Sequence, residues 1–263
     1  MQAVTLWPLA SVLGLLVGSF LNVVAWRWYR SSLPRPLALQ TRSQCPQCGT
    51  VLGWVELIPL VSFLVQRGRC RSCSARISWR YPLVEVVLAA VFGLITAVYG
   101  PHLQTLFLLC LAAILFTIAL IDLETQLIPD QLTMLGAVVA GLGVWLLGQG
   151  SVVSTSAHWF AYGLSGALVG AGILGAIVLG TRGRGMGIGD IKLAAVLGLS
   201  LGGPLTLLAL FTGFVSGALV GLGLLARGRA SMKTAVPFGP FLVFGWLVAV
   251  LWGAQILAWY TGM

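Results

Sequence analysis

Asp122 and Asp190 each stand at the end of a long apolar run, in a chain of 263 residues with only six acidic side chains. Asp122 opens a D-x6-P-D pattern that closes on Pro129 and Asp130; Asp190 ends the Gly187-Ile-Gly189-Asp190 stretch and is followed by Lys192. Carboxylates at membrane depth are costly to keep and mark functional sites. Two acids in contact cannot both ionise easily, so one stays neutral and one charged. The charged member can take a proton from water while the neutral one polarises a carbonyl. That is the chemistry of aspartic proteolysis, built into a membrane.

Taken singly, these acids also have plainer readings. Asp130 reads as an N-cap or first-turn anion of the helix that follows Pro129. Glu124 reads as a solvated interface charge. Asp190 is equally a helix cap or a catalyst, although Gly187 and Gly189 would let another backbone approach it closely. Only the pairing of Asp122 with Asp190 favours catalysis.

A second cluster of chemistry lies between residues 27 and 80, the only extended polar stretch. Cys45-x2-Cys48 and Cys70-x2-Cys73 are separated by 21 residues. Two such knuckles can place four thiolates at the corners of a tetrahedron, which suits a structural zinc with no open position. A stretch this short needs such a staple. Two disulfides are the alternative, disfavoured because thiols stay reduced on the cytoplasmic side. Cys110, within an apolar run, reads as a small core residue.

The elements that must position these residues are membrane helices. Charged residues make up 8% of the chain and the hydrophobic set 59%, with a mean hydropathy of +1.00. A spanning helix needs about 20 mostly apolar residues. Eight runs qualify, at about 4–26, 81–99, 103–121, 131–148, 157–180, 190–202, 204–226 and 236–260, the sixth being short. The expected fold is an all-α polytopic membrane protein of about eight transmembrane helices, with a small cytoplasmic zinc-ribbon-like insert between helices 1 and 2. The expected organisation is a first transmembrane helix (1–26), a cytoplasmic zinc-binding insert with four cysteine ligands (27–80) and a membrane-embedded aspartic peptidase domain (81–263).

Nine arginines fall between Arg27 and Arg80, and the other six basic residues are Arg182, Arg184, Lys192, Arg227, Arg229 and Lys233. With eight spans and an outside N-terminus, all fifteen lie in or beside cytoplasmic loops, as the positive-inside rule requires. Both termini are then outside, and the insert and both aspartates are at the cytoplasmic face. The first run lacks a basic segment before it and is expected to be retained rather than cleaved as a signal peptide. The net charge of +9 reads as membrane topology and contact with anionic lipid head groups; no nucleic-acid partner is expected.

Other chemistries are excluded. His102 and His158 fall at the outside face, most of a bilayer from the aspartates, so no Ser-His-Asp or Cys-His arrangement forms with them. There is no H-E-x-x-H metalloprotease signature, no Walker A loop, and no strand–turn–helix unit around the glycines of 180–189.

Read in order, these motifs resemble the type IV prepilin peptidase family, bifunctional leader peptidases and N-methyltransferases of the GxGD aspartic type. The likeness covers nearly the whole chain. Gly18-Ser-Phe-Leu-Asn22 through Arg27 is similar to the first-helix signature, and Asn22 is the only asparagine. The cysteine pairs have the family spacing. Glu56-Leu-Ile-Pro59 through Ser62 resembles the stretch between them, with Glu-Leu for the usual Asp-Asn, and Arg76 through Glu85 resembles the lead into the second helix.

The resemblance implies a catalytic dyad of Asp122 and Asp190, with Asn22, Pro129, Asp130, Gly187, Gly189 and Lys192 as supporting motif residues. It implies type IV prepilins or pseudopilins as substrates, cut at the cytoplasmic face of the bacterial inner membrane. It further implies methylation of the new N-terminus from S-adenosylmethionine, with Gly68, Arg69 and Glu85 as candidates for that cofactor's site. Arg69 stands where the family often has Lys. From the residues alone, Asn22 either hydrogen-bonds across helices or to backbone, or is a packing residue. Two rival classes stay open: a proton-coupled transporter with intramembrane carboxylates, and a membrane-anchored zinc-ribbon adaptor.

Overall fold

A computed structural model describes residues 6–31, 42–147, 159–183, 185–228 and 236–262. Each apolar run forms a helix, as it must where no water satisfies backbone N–H and C=O groups. In chain order these are α1 (Trp7–Ser31), a 3-10 turn (Trp54–Leu57), the short α2 (Val61–Val65), α3 (Arg80–Tyr99) and α4 (Leu103–Thr125). There follow α5 (Asp130–Leu147), α6 (Trp159–Gly180), α7 (Ile188–Leu201), α8 (Gly203–Ala226) and α9 (Gly239–Thr261). Among the described residues there is no strand, only the isolated bridges Gln44–Val51 and Arg69–Arg76.

Among the described residues eight long helices match the eight expected runs, and six of them (α1, α3, α4, α6, α8 and α9) are long and apolar enough to cross a membrane. The 14 residues of α7 rise about 21 Å at 1.5 Å per residue, short of the ~30 Å hydrocarbon core. His158, Arg184, Arg229 and Lys233 lie outside the described residues.

The chain divides into two compact units, Met1–Pro101 and His102–Met263. The boundary falls after α3, so that helix groups with α1 and the insert rather than with the later helices. In the first unit α1 and α3 pack along their length. A Cβ added at Gly14 would lie 2.7 Å from Ala89 Cα, and one at Gly18 would lie 2.9 Å from Glu85 Cα. This small-x3-small stripe brings the two backbones together, the usual way membrane helices gain contact.

In the second unit α9 packs on α4, α7 and α8, and α5 packs on both α4 and α7. Leu111, Leu115, Ile118 and Ile121 of α4 are fully buried with Leu193 and Leu197 of α7 and Leu242 and Trp246 of α9. The Trp246 indole donates to Ser200 Oγ at 3.0 Å and ties α9 to α7. Asp122 lies four residues after Ile118, Asp190 three before Leu193, and Gly239 three before Leu242. Helical spacing therefore puts all three on the buried faces of their helices.

One expectation is corrected here. Cys110 is exposed on α4 and not part of the core. In a spanning helix an apolar side chain facing lipid satisfies the same hydropathy as one facing the core.

Candidate functional site

Pro129 cannot continue a helix, and α4 ends before it with Gln126 in the left-handed region at φ 55°. One turn before that end is Asp122, only 4% exposed. Its Oδ2 accepts the N–H of Gly239, the first residue of α9, at 2.9 Å. The carboxylate thus sits at a helix N-terminus, where free N–H groups and the helix dipole favour negative charge.

Asp190 is the third residue of α7 and is 9% exposed. It is not the N-cap, a position held by Gly187; its Oδ2 accepts the Gly187 N–H at 3.1 Å. This is the carboxylate half of a capping box, since glycine has no side chain to return the bond. Gly189 serves contact: a Cβ there would lie 2.9 Å from Ile128 Cβ. The Gly187–Asp190 turn therefore rests directly on the loop that leaves α4. Asp190 and the loop that follows Asp122 thus belong to two segments in direct contact, each segment carrying a buried carboxylate.

Asp130 does something different. As the first residue of α5 it accepts from Lys192 Nζ at 2.7 Å, with both side chains well exposed, at 64% and 47%. An open pair of this kind is worth little energy, but it links the start of α5 to α7 beside the two buried acids. Glu124 is half-buried rather than solvated.

Gly239 had no role in the reading of the sequence, although its amide holds Asp122. The available signal was Gly239-Pro240 opening the last helix, at the same membrane face as both acids.

In the first unit the four expected cysteines converge. Cys45, Cys48, Cys70 and Cys73 offer sulfurs that all lie within 4.8 Å of one another, at 3.8 Å for Cys45–Cys73 and 4.0 Å for Cys48–Cys70. These spacings are far beyond a disulfide bond of about 2.05 Å. They match the ~3.8 Å edge of a tetrahedron with metal–sulfur bonds of about 2.3 Å. Matching turns build the two knuckles: Cys45 N–H donates to Thr50 O and Cys70 N–H to Ala75 O, while Gly49 and Ser74 both take positive φ. The hydroxyl and amide of Thr50 pull the Cys48 thiol down to about 6. At Cys73 the Ala75 amide lowers the pKa, but desolvation and the three neighbouring sulfurs outweigh it and push the thiol up to about 12. Four crowded thiols that cannot all ionise are a donor set a divalent cation would complete.

Asn22 is buried and donates from Nδ2 to Tyr81 O at 3.2 Å, joining α1 to α3. Glu85, also buried, accepts the Leu60 N–H at 2.9 Å and so ties α3 to the loop between the knuckles. Gly68 and Arg69 line a cavity of about 500 Å3 together with Phe63, Arg67, Arg76 and Trp79. Glu85 is not among the residues that line it.

Both clusters fall within segments that match known families. The sequence model described as the Bacterial Peptidase A24 N-terminal domain matches residues 12–99, and that described as the Type IV leader peptidase family matches residues 109–222. A Pseudomonas putida protein named prepilin leader peptidase/N-methyltransferase is 40% identical, over 95% of this chain and 92% of that protein. The chain belongs to the type IV leader peptidase family. Relatives of the same name from Aeromonas hydrophila (38% identical, 97% of this chain and 93% of that protein) and Bacillus subtilis (34%, 96% of each) agree. No solved structure matches. The cysteine cluster lies in the first matched segment and both buried aspartates in the second, whereas Gly239 lies beyond them. Membership of this family favours a peptidase over a carrier or an adaptor.

Proposed function

We propose that this chain cleaves the leader peptide of type IV prepilins or pseudopilins with Asp122 and Asp190 as catalytic dyad, at the cytoplasmic face of the bacterial inner membrane. One carboxylate, ionised, takes a proton from water, and the hydroxide adds to the scissile carbonyl carbon. The other, protonated, donates to the carbonyl oxygen. As the C–N bond breaks, the proton gained by the first acid passes to the leaving amine, a hydroxyl of the tetrahedral intermediate returns its proton to the second acid as the new carboxyl group forms, and the dyad again shares one proton. The observation that supports this reading is a pair of buried carboxylates, each held by one backbone N–H, on segments that pack together where Gly189 meets Ile128. The names of the relatives support the substrate class.

The same reading gives the chain the N-methyltransferase activity of its relatives. S-adenosylmethionine supplies a methyl group to the new terminal amine. The cavity beside the knuckles is the proposed seat of that cofactor. Phe63 and Trp79, in edge contact at 4.9 Å, offer aromatic surface to a nucleoside base. Arg67, Arg69 and Arg76 offer guanidinium donors to a carboxylate. Gly68 and Arg69 are thus the cofactor candidates with a pocket around them, and Glu85 acts by holding Leu60.

The metal is proposed to be zinc. Four sulfur donors in a closed tetrahedral set leave no position for substrate, so its work is to hold the insert in shape. The insert and both aspartates are proposed to lie at the cytoplasmic face, with the chain ends outside, a reading that the distribution of Lys and Arg supports.

The deciding experiment compares purified wild type with Asp190→Ala on a prepilin substrate, read by mass spectrometry. A product beginning just after the leader, absent with the variant, is the expected result. A methyl increment that requires S-adenosylmethionine reports the second activity in the same spectrum. Cleavage by a folded Asp190→Ala protein would remove the dyad.

A further inference from the structure

Between the two knuckles the insert presents an apolar surface that its own interior does not use. Trp54, Val55, Leu57, Val61 and Val65 are all exposed, Trp54 at 79% and Val65 at 76%. From 54 to 65 the single charge is Glu56, and its carboxylate is already taken by the Gly53 N–H at 2.8 Å. Only Pro59 and Phe63 of this stretch are buried, so the remaining side chains do not form the insert's core. Just beyond it Arg67, Arg69, Arg71 and Arg76 are all exposed.

A run of exposed apolar side chains on a polar insert calls for a cover. The chain itself indicates which one. The insert follows the apolar helix α1 and leads without a break into α3, which begins at Arg80 directly after the exposed Trp79. It is therefore tethered at the surface of the bilayer that α1 and α3 enter. Tryptophan and valine side chains edged by arginine match the chemistry of that surface: aromatic and aliphatic groups at the acyl boundary, guanidinium groups on anionic phosphates. Lipid is also present at all times, whereas a peptide substrate is not.

We propose that residues 54–65 seat the insert on the lipid leaflet, with Trp54, Val61 and Val65 sunk to the acyl boundary and the exposed Arg71, which does not line the cofactor cavity, on anionic headgroups. The seat is independent of the catalytic reading. It holds the metal module at headgroup depth beside its own two helices.

The test uses full-length, metal-loaded protein in lipid nanodiscs, with Trp54→Phe to isolate the emission of that indole by difference. Phenylalanine keeps the face apolar, and equal metal content of the two proteins controls for folding. The expected result is that bromine on the lipid acyl chains quenches most of the Trp54 emission while aqueous iodide does not. Discs rich in phosphatidylglycerol should give deeper quenching than phosphatidylcholine alone. Val65→Glu should move Trp54 toward iodide and away from bromine. Trp54 quenched by iodide in both lipids would overturn the proposal. Protection that appears only after a prepilin peptide is added would also overturn it, and would give the face to substrate instead.

Discussion

Gly239→Ala tests the placement of Asp122 without touching a carboxylate. The Cβ added there would lie 2.7 Å from Asp122 Oδ2 and 3.2 Å from its Cγ. A relaxed carbon–oxygen contact is about 3.3 Å, so the carboxylate must retreat by about 0.6 Å. Its bond from the Gly239 amide, now 2.9 Å, would then stretch to the edge of hydrogen-bond range. A misplacement of about 1 Å in a catalytic array costs about a hundredfold in rate. The retreat predicted here should lower kcat roughly tenfold to a hundredfold, or ~1.4–2.7 kcal/mol of transition-state stabilisation. The change should leave KM for prepilin nearly unaltered, because what is lost is an interaction at the reacting centre. Folding should survive, since alanine is a better helix former than glycine. Gly221→Ala in α8 is the matched control: a Cβ there meets nothing within 4 Å. The assay is steady-state leader cleavage followed by mass spectrometry, with helix content of each variant measured alongside. Wild-type kcat from a folded Gly239→Ala protein would refute the assigned geometry, as would a raised KM at unchanged kcat.

Asp122→Asn and Asp190→Asn should each abolish cleavage while the protein still accumulates in the membrane; activity in either would show that no proton is shared between them. Lys192→Ala breaks only an open ion pair, so it should change stability by less than about 1 kcal/mol; unfolding in detergent measures this, and a larger loss would mean the pair braces the fold. Metal analysis of protein purified without chelator should find about one zinc per chain, and none would refute the site. Bound metal should also depend on pH in a fixed direction. Cys48, held at about 6, is a thiolate above that pH, so its ligand strength is present at neutral pH and lost as pH falls through the depressed value. Metal release should therefore set in on acidification and not on alkalinisation, as a chromogenic chelator would report.

Hydropathy made the helices legible because spanning segments have no other way to satisfy their backbone, and all eight apolar runs became helices. The four cysteines were legible for a similar reason: ligand spacing within each knuckle is set by local turns, and sulfur chemistry restricts what four such thiols can hold. Local sequence also distinguished Asp130, which follows a proline and starts a helix. Hydropathy alone misplaces Cys110, because it does not distinguish a lipid-facing position from a buried one. What required the tertiary structure was the meeting of distant elements. The Gly187–Asp190 turn lies on Ile128, in the loop that follows Asp122, and Asp122 is held by an amide 117 residues away in sequence. Helical periodicity could have placed Asp122, Asp190 and Gly239 each on a buried face, but not on faces that converge. Which faces meet is decided by the packing of α5 and α9 on both α4 and α7, and no interval along the chain encodes it.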